Sequence, residues 1–234
     1  LFLNDSSFFL SNDISVRRTQ DFSKLMSLQH FAVESGVVNL KRLVPGHSVY
    51  NLGNWGRTIG YQAYHCFNHD SSSIITSFGK SDSLIITDLQ DNSRMNAYAG
   101  SDFFKMNEQI PLSKIHNIKE SNFEAGVKYD FTHPCYYSIQ YDPIAERYYR
   151  LTQYAFPTKE IIAKNKGEIR LGISYSIIVL DKKLKKLGEV TLPVVEDLNM
   201  NYFFARDGFI YIAPLPKYQP YEDSLIFNKY QIRF

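Results

Sequence analysis

The chain has 234 residues, 44% of them apolar and 21% charged, which is enough to bury a sizeable core and excludes wholesale disorder. A formal net charge of +2 with both signs interspersed leaves no electrostatic footprint for nucleic acid, and no apolar run approaches the ~20 residues of a membrane-spanning helix. Two cysteines, Cys66 and Cys135, are too few for a disulfide framework; one bridge stays open, and free, buried thiols are the default.

Seventeen Tyr and seventeen Phe against one Trp already favour strands, where rings cover a pleated, half-buried surface. In chain order, Ser6–Leu10 and Gln29–Val44 read as strands of a first unit. The text opens at Leu1 inside strand-like sequence with no initiating Met or signal peptide, so further upstream sequence is expected. The clearest unit runs from Tyr61 to Gly100, with strands at Tyr61–Asn68, Ser73–Phe78, Ser83–Leu89 and Arg94–Ala99 separated by Asp-, Asn-, Ser- and Gly-rich turns. Ser101–Lys128, which contains Pro111, reads as a long excursion with one helical turn.

A hairpin follows, Cys135–Tyr141 and Arg147–Ala155 around Asp142-Pro143-Ile144-Ala145-Glu146, where Pro pre-sets the turn and Asp caps it. Period-two alternation then puts Tyr148 and Tyr149 on opposite faces of a central strand. A second excursion, Pro157–Arg170, has a turn of helix at Thr158–Asn165. Ile173–Leu180 and Leu187–Leu192 form the next hairpin, joined by the charged turn Asp181–Lys186, whose lysines are solvated turn residues. Tyr202–Ala205, Phe209–Ala213 and Asp223–Phe234 end the chain. The third strands Ser83–Ile86, Ser176–Val179 and Ser224–Phe227 share one pattern, and the last two lie one ~40–50-residue repeat apart.

These units predict an all-β fold, a β-propeller of consecutive four-stranded antiparallel blades at about 1–52, 61–100, 135–192 and 200–234. They form one domain, or its C-terminal part lacking the first blades. The alternative is a β-sandwich or meander. Because the final unit has three strands, a strand from upstream sequence, or failing that from Leu1–Leu10, is expected to pair with Asp223–Phe234.

Three blocks carry a family resemblance: SDSLIITDLQDNSRMNAYAGSDFF, YDPIAERYYRL, and LGEVTLP followed by FFARDGFIYIAPL and DSLIFNKYQIRF. Across roughly Val49 to Phe234 the chain resembles a family of Bacteroidetes lipoproteins of unknown function that is similar to TolB-like six-bladed propellers. The resemblance implies a propeller, export, a lipid anchor at an upstream Cys, and a cell-envelope location in the periplasm or outer membrane. It carries over no functional residues.

The residues themselves offer little chemistry. His65 and His69 lie about 13 Å apart along a strand, which defeats joint coordination, so neither a metal nor another cofactor is expected. In the extended His133-Pro134-Cys135, thiol and imidazole point apart. Asp70, Asp142, Asp181 and Asp207 read as turn residues, and with Glu196 they are the only carboxylates offered for a hydrolase. Phosphate-loop, dinucleotide and Gly-x-Ser-x-Gly signatures are missing. The positive feature is the paired aromatics. Tyr137, Tyr148, Tyr149, Tyr202 and Tyr218 are the candidate ligand-binding residues, although packing between blades is the favoured explanation of such pairs. The functional expectation is a non-catalytic envelope module binding a glycan, peptide or envelope protein on the face that carries the excursions. The alternative is a carbohydrate- or peptide-acting hydrolase or lyase with carboxylates in the propeller funnel.

Overall fold

The computed structural model of the chain describes residues 2–4, 7–11, 26–34, 37–45, 47–53, 55, 62–109, 111, 123–155, 174–192, 198–214 and 226–233. Four antiparallel sheets follow one another in chain order. The first holds β1 (Phe2–Asn4), β2 (Ser7–Ser11), β3 (Met26–Glu34) and β4 (Val37–Pro45). The second holds β5 (Ala63–Phe67), β6 (Ser73–Phe78), β7 (Ser83–Asp88) and β8 (Arg94–Tyr98). The third holds β9 (Cys135–Asp142), β10 (Arg147–Ala155), β11 (Ser174–Asp181) and β12 (Lys186–Thr191). The fourth has three strands among the described residues, β13 (Leu198–Arg206), β14 (Phe209–Pro214) and β15 (Asn228–Gln231).

Each sheet is a meander whose neighbours in sequence are neighbours in space. The first strands β5, β9 and β13 lie against one another. This is the layout of propeller blades, and the sheets are open rather than closed into a barrel.

Packing of the third blade explains its sequence. One face, with Tyr137, Tyr149, Leu151, Ile177 and Val179, joins Phe203, Ile210 and Ile212 of the fourth blade. The other, with Tyr136, Tyr148, Ile178 and Leu180, joins Cys66, Ile75 and Leu84 of the second. A register shift between Arg150 and Thr152 leaves two residues of β9 opposite Leu151. That bulge keeps Tyr137 and Ile139 on opposite faces although they are two residues apart. Neighbouring blades cover both faces of β10, so Tyr148 and Tyr149 are both core.

Several expectations need correction. Gln29–Val44 is not one strand but the hairpin β3–β4, closing at Glu34 and Val37. The excursion after β8 holds a short 3-10 helix, Met106–Glu108, and a ten-residue helix α1, Phe123–Thr132, rather than a single helical turn. Buried Gly126, Tyr129 and Asp130 make a narrow helical stripe, and Tyr129 packs with Tyr50, Trp55 and Phe78. Tertiary contact stabilises a helix whose own propensity is low. The third-strand pattern fails in the fourth blade, where Ile226 and Phe227 precede β15. β1 and β2 belong to the first sheet, and among the described residues neither pairs with β15, so Leu1–Leu10 does not supply the expected partner there. Thr158–Asn165 lies outside the described residues.

Blades two and three are joined by a buried cation. Arg150, on β10, is fully buried and makes five hydrogen bonds. Nε donates to Ser77 Oγ at 2.9 Å, and Nη1 to the carbonyls of Ala99 (2.9 Å) and Asp82 (3.3 Å). Nη2 donates to the carbonyls of Ser81 (2.7 Å) and Phe78 (3.4 Å). The guanidinium lies 3.5 Å above the Tyr136 ring, whose hydroxyl donates to Asp82 Oδ1 at 2.5 Å. Burial pulls the guanidinium down to about 10, with Tyr136 and Asp82 opposing, so it stays charged at neutral pH. Only a planar fork with five donors satisfies this set of carbonyls.

Arg150→Ala strands those carbonyls in a buried join. It is expected to cost about 3 kcal/mol or more in chemical denaturation, and Arg150→Lys should recover little of it. A loss below about 1 kcal/mol would show that the join is not held by this residue.

Candidate functional site

Antiparallel alternation sends the β6–β7 turn, the β8-to-β9 connection and the β10-to-β11 connection out of the same end of the blades. Both excursions are therefore rooted there. The polar and titratable groups at this end fall into a buried set and an exposed set.

The buried set surrounds the C-terminus of α1. Its last carbonyls lack intrahelical partners, and Pro134 stops the helix. Gln153 Nε2 donates to the carbonyls of Asp130 (3.2 Å) and His133 (3.1 Å), while its Oε1 accepts from Tyr137 Oη at 3.1 Å. Lys80 Nζ donates to the Pro134 carbonyl at 2.7 Å and sits 5.3 Å from the Tyr129 ring centre. A cation at a helix C-terminus is favourably placed. Burial still pulls the Lys80 ammonium below its ordinary value, against the pull of Cys135 and Asp130. The Cys135 thiol is pushed up to about 12 by burial, and burial pushes that of Cys66 up as well. Both thiols are free and protonated at neutral pH, the wrong state for a nucleophile or a metal ligand. This cluster fastens α1 to the blades.

The exposed set lies where the excursions begin. Phe103 follows β8, and its ring stacks on Tyr154 at the end of β10 with centres 4.3 Å apart and planes 20° from parallel. Phe103 remains 46% exposed. The backbone beneath it is fixed by Glu189 of β12, whose side chain is only 1% exposed. Glu189 accepts from Ser101 Oγ (2.7 Å), Ser176 Oγ (2.5 Å), Asp102 N (2.6 Å) and Lys186 Nζ (3.0 Å). Lys186 Nζ also donates to the Gly100 carbonyl and to Asp102 Oδ1, both at 2.9 Å. The amides of Ser101 and Phe103 donate to Tyr136 Oη and Ser101 Oγ. An exposed ring and an exposed carboxylate thus stand on a segment with no loose backbone.

The candidate residues divide sharply. Tyr137, Tyr148 and Tyr149 are buried, which corrects their placement on a ligand platform: both faces of their blade are covered by neighbours. Tyr148 Oη accepts from the amide of His69, tying its blade to the β5–β6 turn. Tyr202 is 54% exposed on β13, and Tyr218 lies outside the described residues. The structure does not bring the four described residues together. Asp142 caps its turn through the amides of Ile144 and Ala145 and reaches Gly208 N of the next blade at 2.6 Å. His65 Nδ1 lies 3.0 Å from Thr76 Oγ1, whereas the His69 ring faces Asp70. Among the described residues no group of His, Cys, Asp and Glu is arranged to hold a metal ion, and no helix is long and apolar enough to cross a membrane. Sequence reasoning did not single out Phe103 and Tyr154, although Ser-Asp-Phe-Phe at the root of an excursion was the available signal.

A family model described as "Domain of unknown function (DUF4221)" matches residues 5–191. The crystal structure of a member of that family from Bacteroides vulgatus is similar at a TM-score of 0.61 and 20% identity, covering 99% of this chain. The chain spans 63% of that protein's length, and the likeness shows the fold alone. A putative 6-phosphogluconolactonase from Bacteroides uniformis matches at a TM-score of 0.43 and 10% identity, over 98% of this chain and 52% of its own. An acylaminoacyl peptidase from Pyrococcus horikoshii has the same score and identity over 86% and 28%. At these scores neither carries an argument about function. No curated protein matches the chain.

Two histidines at the loop-bearing end set a pH dependence. His47 accepts from Val49 N through Nδ1, contacts Ser81 Oγ through Nε2, and is held below its ordinary value by burial. His133, stacked on Tyr129, is held down by burial and by Lys80. A depressed histidine contributes stability above its unfolded value, near 6.5, and that stability is lost as pH falls through the folded value. The melting temperature is therefore expected to fall between pH 7.5 and 5.5, and to fall less in His47→Asn. A flat or rising profile would contradict the assignment.

Proposed function

The chain belongs to the DUF4221 family, a domain of unknown function, and on that premise we propose that it is a non-catalytic binding module of the bacterial cell envelope. Its ligand, a glycan or peptide, docks on the loop-bearing end of the blades. The observation carrying this reading is the division of groups at that end. The Cys135 thiol, the buried amine and the buried guanidinium lie within the packed blades, whereas Phe103 and Asp102 stand exposed on a fixed segment. Rigid scaffolds that display connecting segments commonly hold their sites there. The envelope location and a lipid anchor rest on the resemblance of three sequence blocks to Bacteroidetes lipoproteins.

Glycan and peptide arrays probed with the purified protein test the reading. Replacing residues 112–121, or separately 157–171, by short Gly-Ser linkers is expected to weaken array binding more than about tenfold, with the melting temperature little changed. Undiminished binding by both variants would show that the excursions take no part in the site.

A further inference from the structure

We propose that Phe103, Tyr154 and Asp102 form a subsite for an uncharged pyranose ring, whose C–H face lies on Phe103 while its hydroxyls donate to the Asp102 carboxylate. This rests on the reading that the loop-bearing end binds ligands, and it names the chemical class.

Four features of the geometry lead to a sugar. First, Phe103 cannot turn freely: Tyr154 covers one face of its ring at 4.3 Å, and the ring is nevertheless 46% exposed. A fixed ring with an open surface loses little entropy on binding and suits the apolar face of a pyranose. Second, the adjacent Asp102 side chain is 70% exposed, and Lys186 fixes Oδ1 at 2.9 Å. An ionised carboxylate accepts hydrogen bonds from hydroxyl groups and has room for several.

Third, the local charge excludes anions. An ammonium has three donors, and those of Lys186 go to the Gly100 carbonyl, Glu189 Oε2 and Asp102 Oδ1. None is left for a uronate or phosphate, and the exposed carboxylate repels both. Fourth, peptide recognition by strand addition needs free backbone amides. The amides of Ser101, Asp102 and Phe103 already donate to Tyr136 Oη, Glu189 Oε2 and Ser101 Oγ. Glu189 is the positioning residue, because its buried carboxylate holds both Ser101 and Asp102.

Saturation-transfer NMR with the methyl pyranosides of glucose, galactose and mannose, and with methyl glucuronide, tests the assignment on the full chain. Transfer to ring C–H protons of at least one neutral glycoside is expected, with glucuronide at least about fivefold weaker. Phe103→Ala should reduce the signal about tenfold, Phe103→Trp should retain it, and Asp102→Asn should weaken it severalfold. Val37→Ala, at an exposed site elsewhere, should change nothing. Phe103 is a surface residue, and unchanged melting of each variant separates loss of binding from loss of fold. Neutral-sugar binding that survives Phe103→Ala overturns the subsite while leaving the loop-end reading intact. Glucuronide binding as strong as that of the neutral glycosides overturns the charge argument. Binding of peptides and not sugars overturns the class. No transfer to any glycoside, together with no binding on either array, overturns both this subsite and the reading it rests on.

Discussion

A guanidinium buried between two sheets is the constraint from which the loop-bearing end follows. Arg150 touches no carboxylate directly, so its charge is compensated by four backbone carbonyls, one hydroxyl and the face of Tyr136. Those carbonyls belong to the β6–β7 turn and the end of β8. One residue of the third blade thereby fixes where the second blade's turn and its outgoing chain lie. The backbone bond from Tyr136 N to the Gly79 carbonyl reinforces the same join. Desolvating a charge costs several kcal/mol, and this arrangement is stable because every donor finds an acceptor.

The same end shows two uses of polar chemistry. Lys80 and Gln153 answer the carbonyls at the end of α1, and Glu189 answers the hydroxyls and amides of Gly100–Phe103. Both are structural, but the second leaves something over. Once Glu189, Lys186 and Ser176 have fixed the chain, the Asp102 side chain is left 70% exposed and Phe103 46% exposed. At the opposite end, Tyr148 with His69 and Asp142 with Gly208 link successive hairpin turns.

Much of the fold was legible in the sequence. Ser73–Phe78 and Arg147–Ala155 were read with the bounds the structure gives, because the Ser- and Gly-containing turns around the one and the Pro-initiated turn before the other are local signals. The helix α1 was underestimated because its stability comes from Tyr50, Trp55 and Phe78, which lie far away in sequence. The site was much less legible. Adjacent tyrosines look alike whether a blade face meets water or another blade, so Tyr137, Tyr148 and Tyr149 suggested a platform where the structure has core. Phe103 gave no such cue. Its exposure depends on Glu189, which stands on an outer strand of the next blade, and no window of sequence contains both.

Blade-to-blade hydrogen bonds make the root of the first excursion as rigid as a strand. Native-state amide hydrogen exchange reads the opening of each such bond residue by residue. The amides of Ser101, Asp102, Phe103 and Tyr136 are expected to exchange as slowly as those of the central strands β6 and β10. Exchange of Ser101–Phe103 at the rate of an open loop, with β10 still protected, would contradict it.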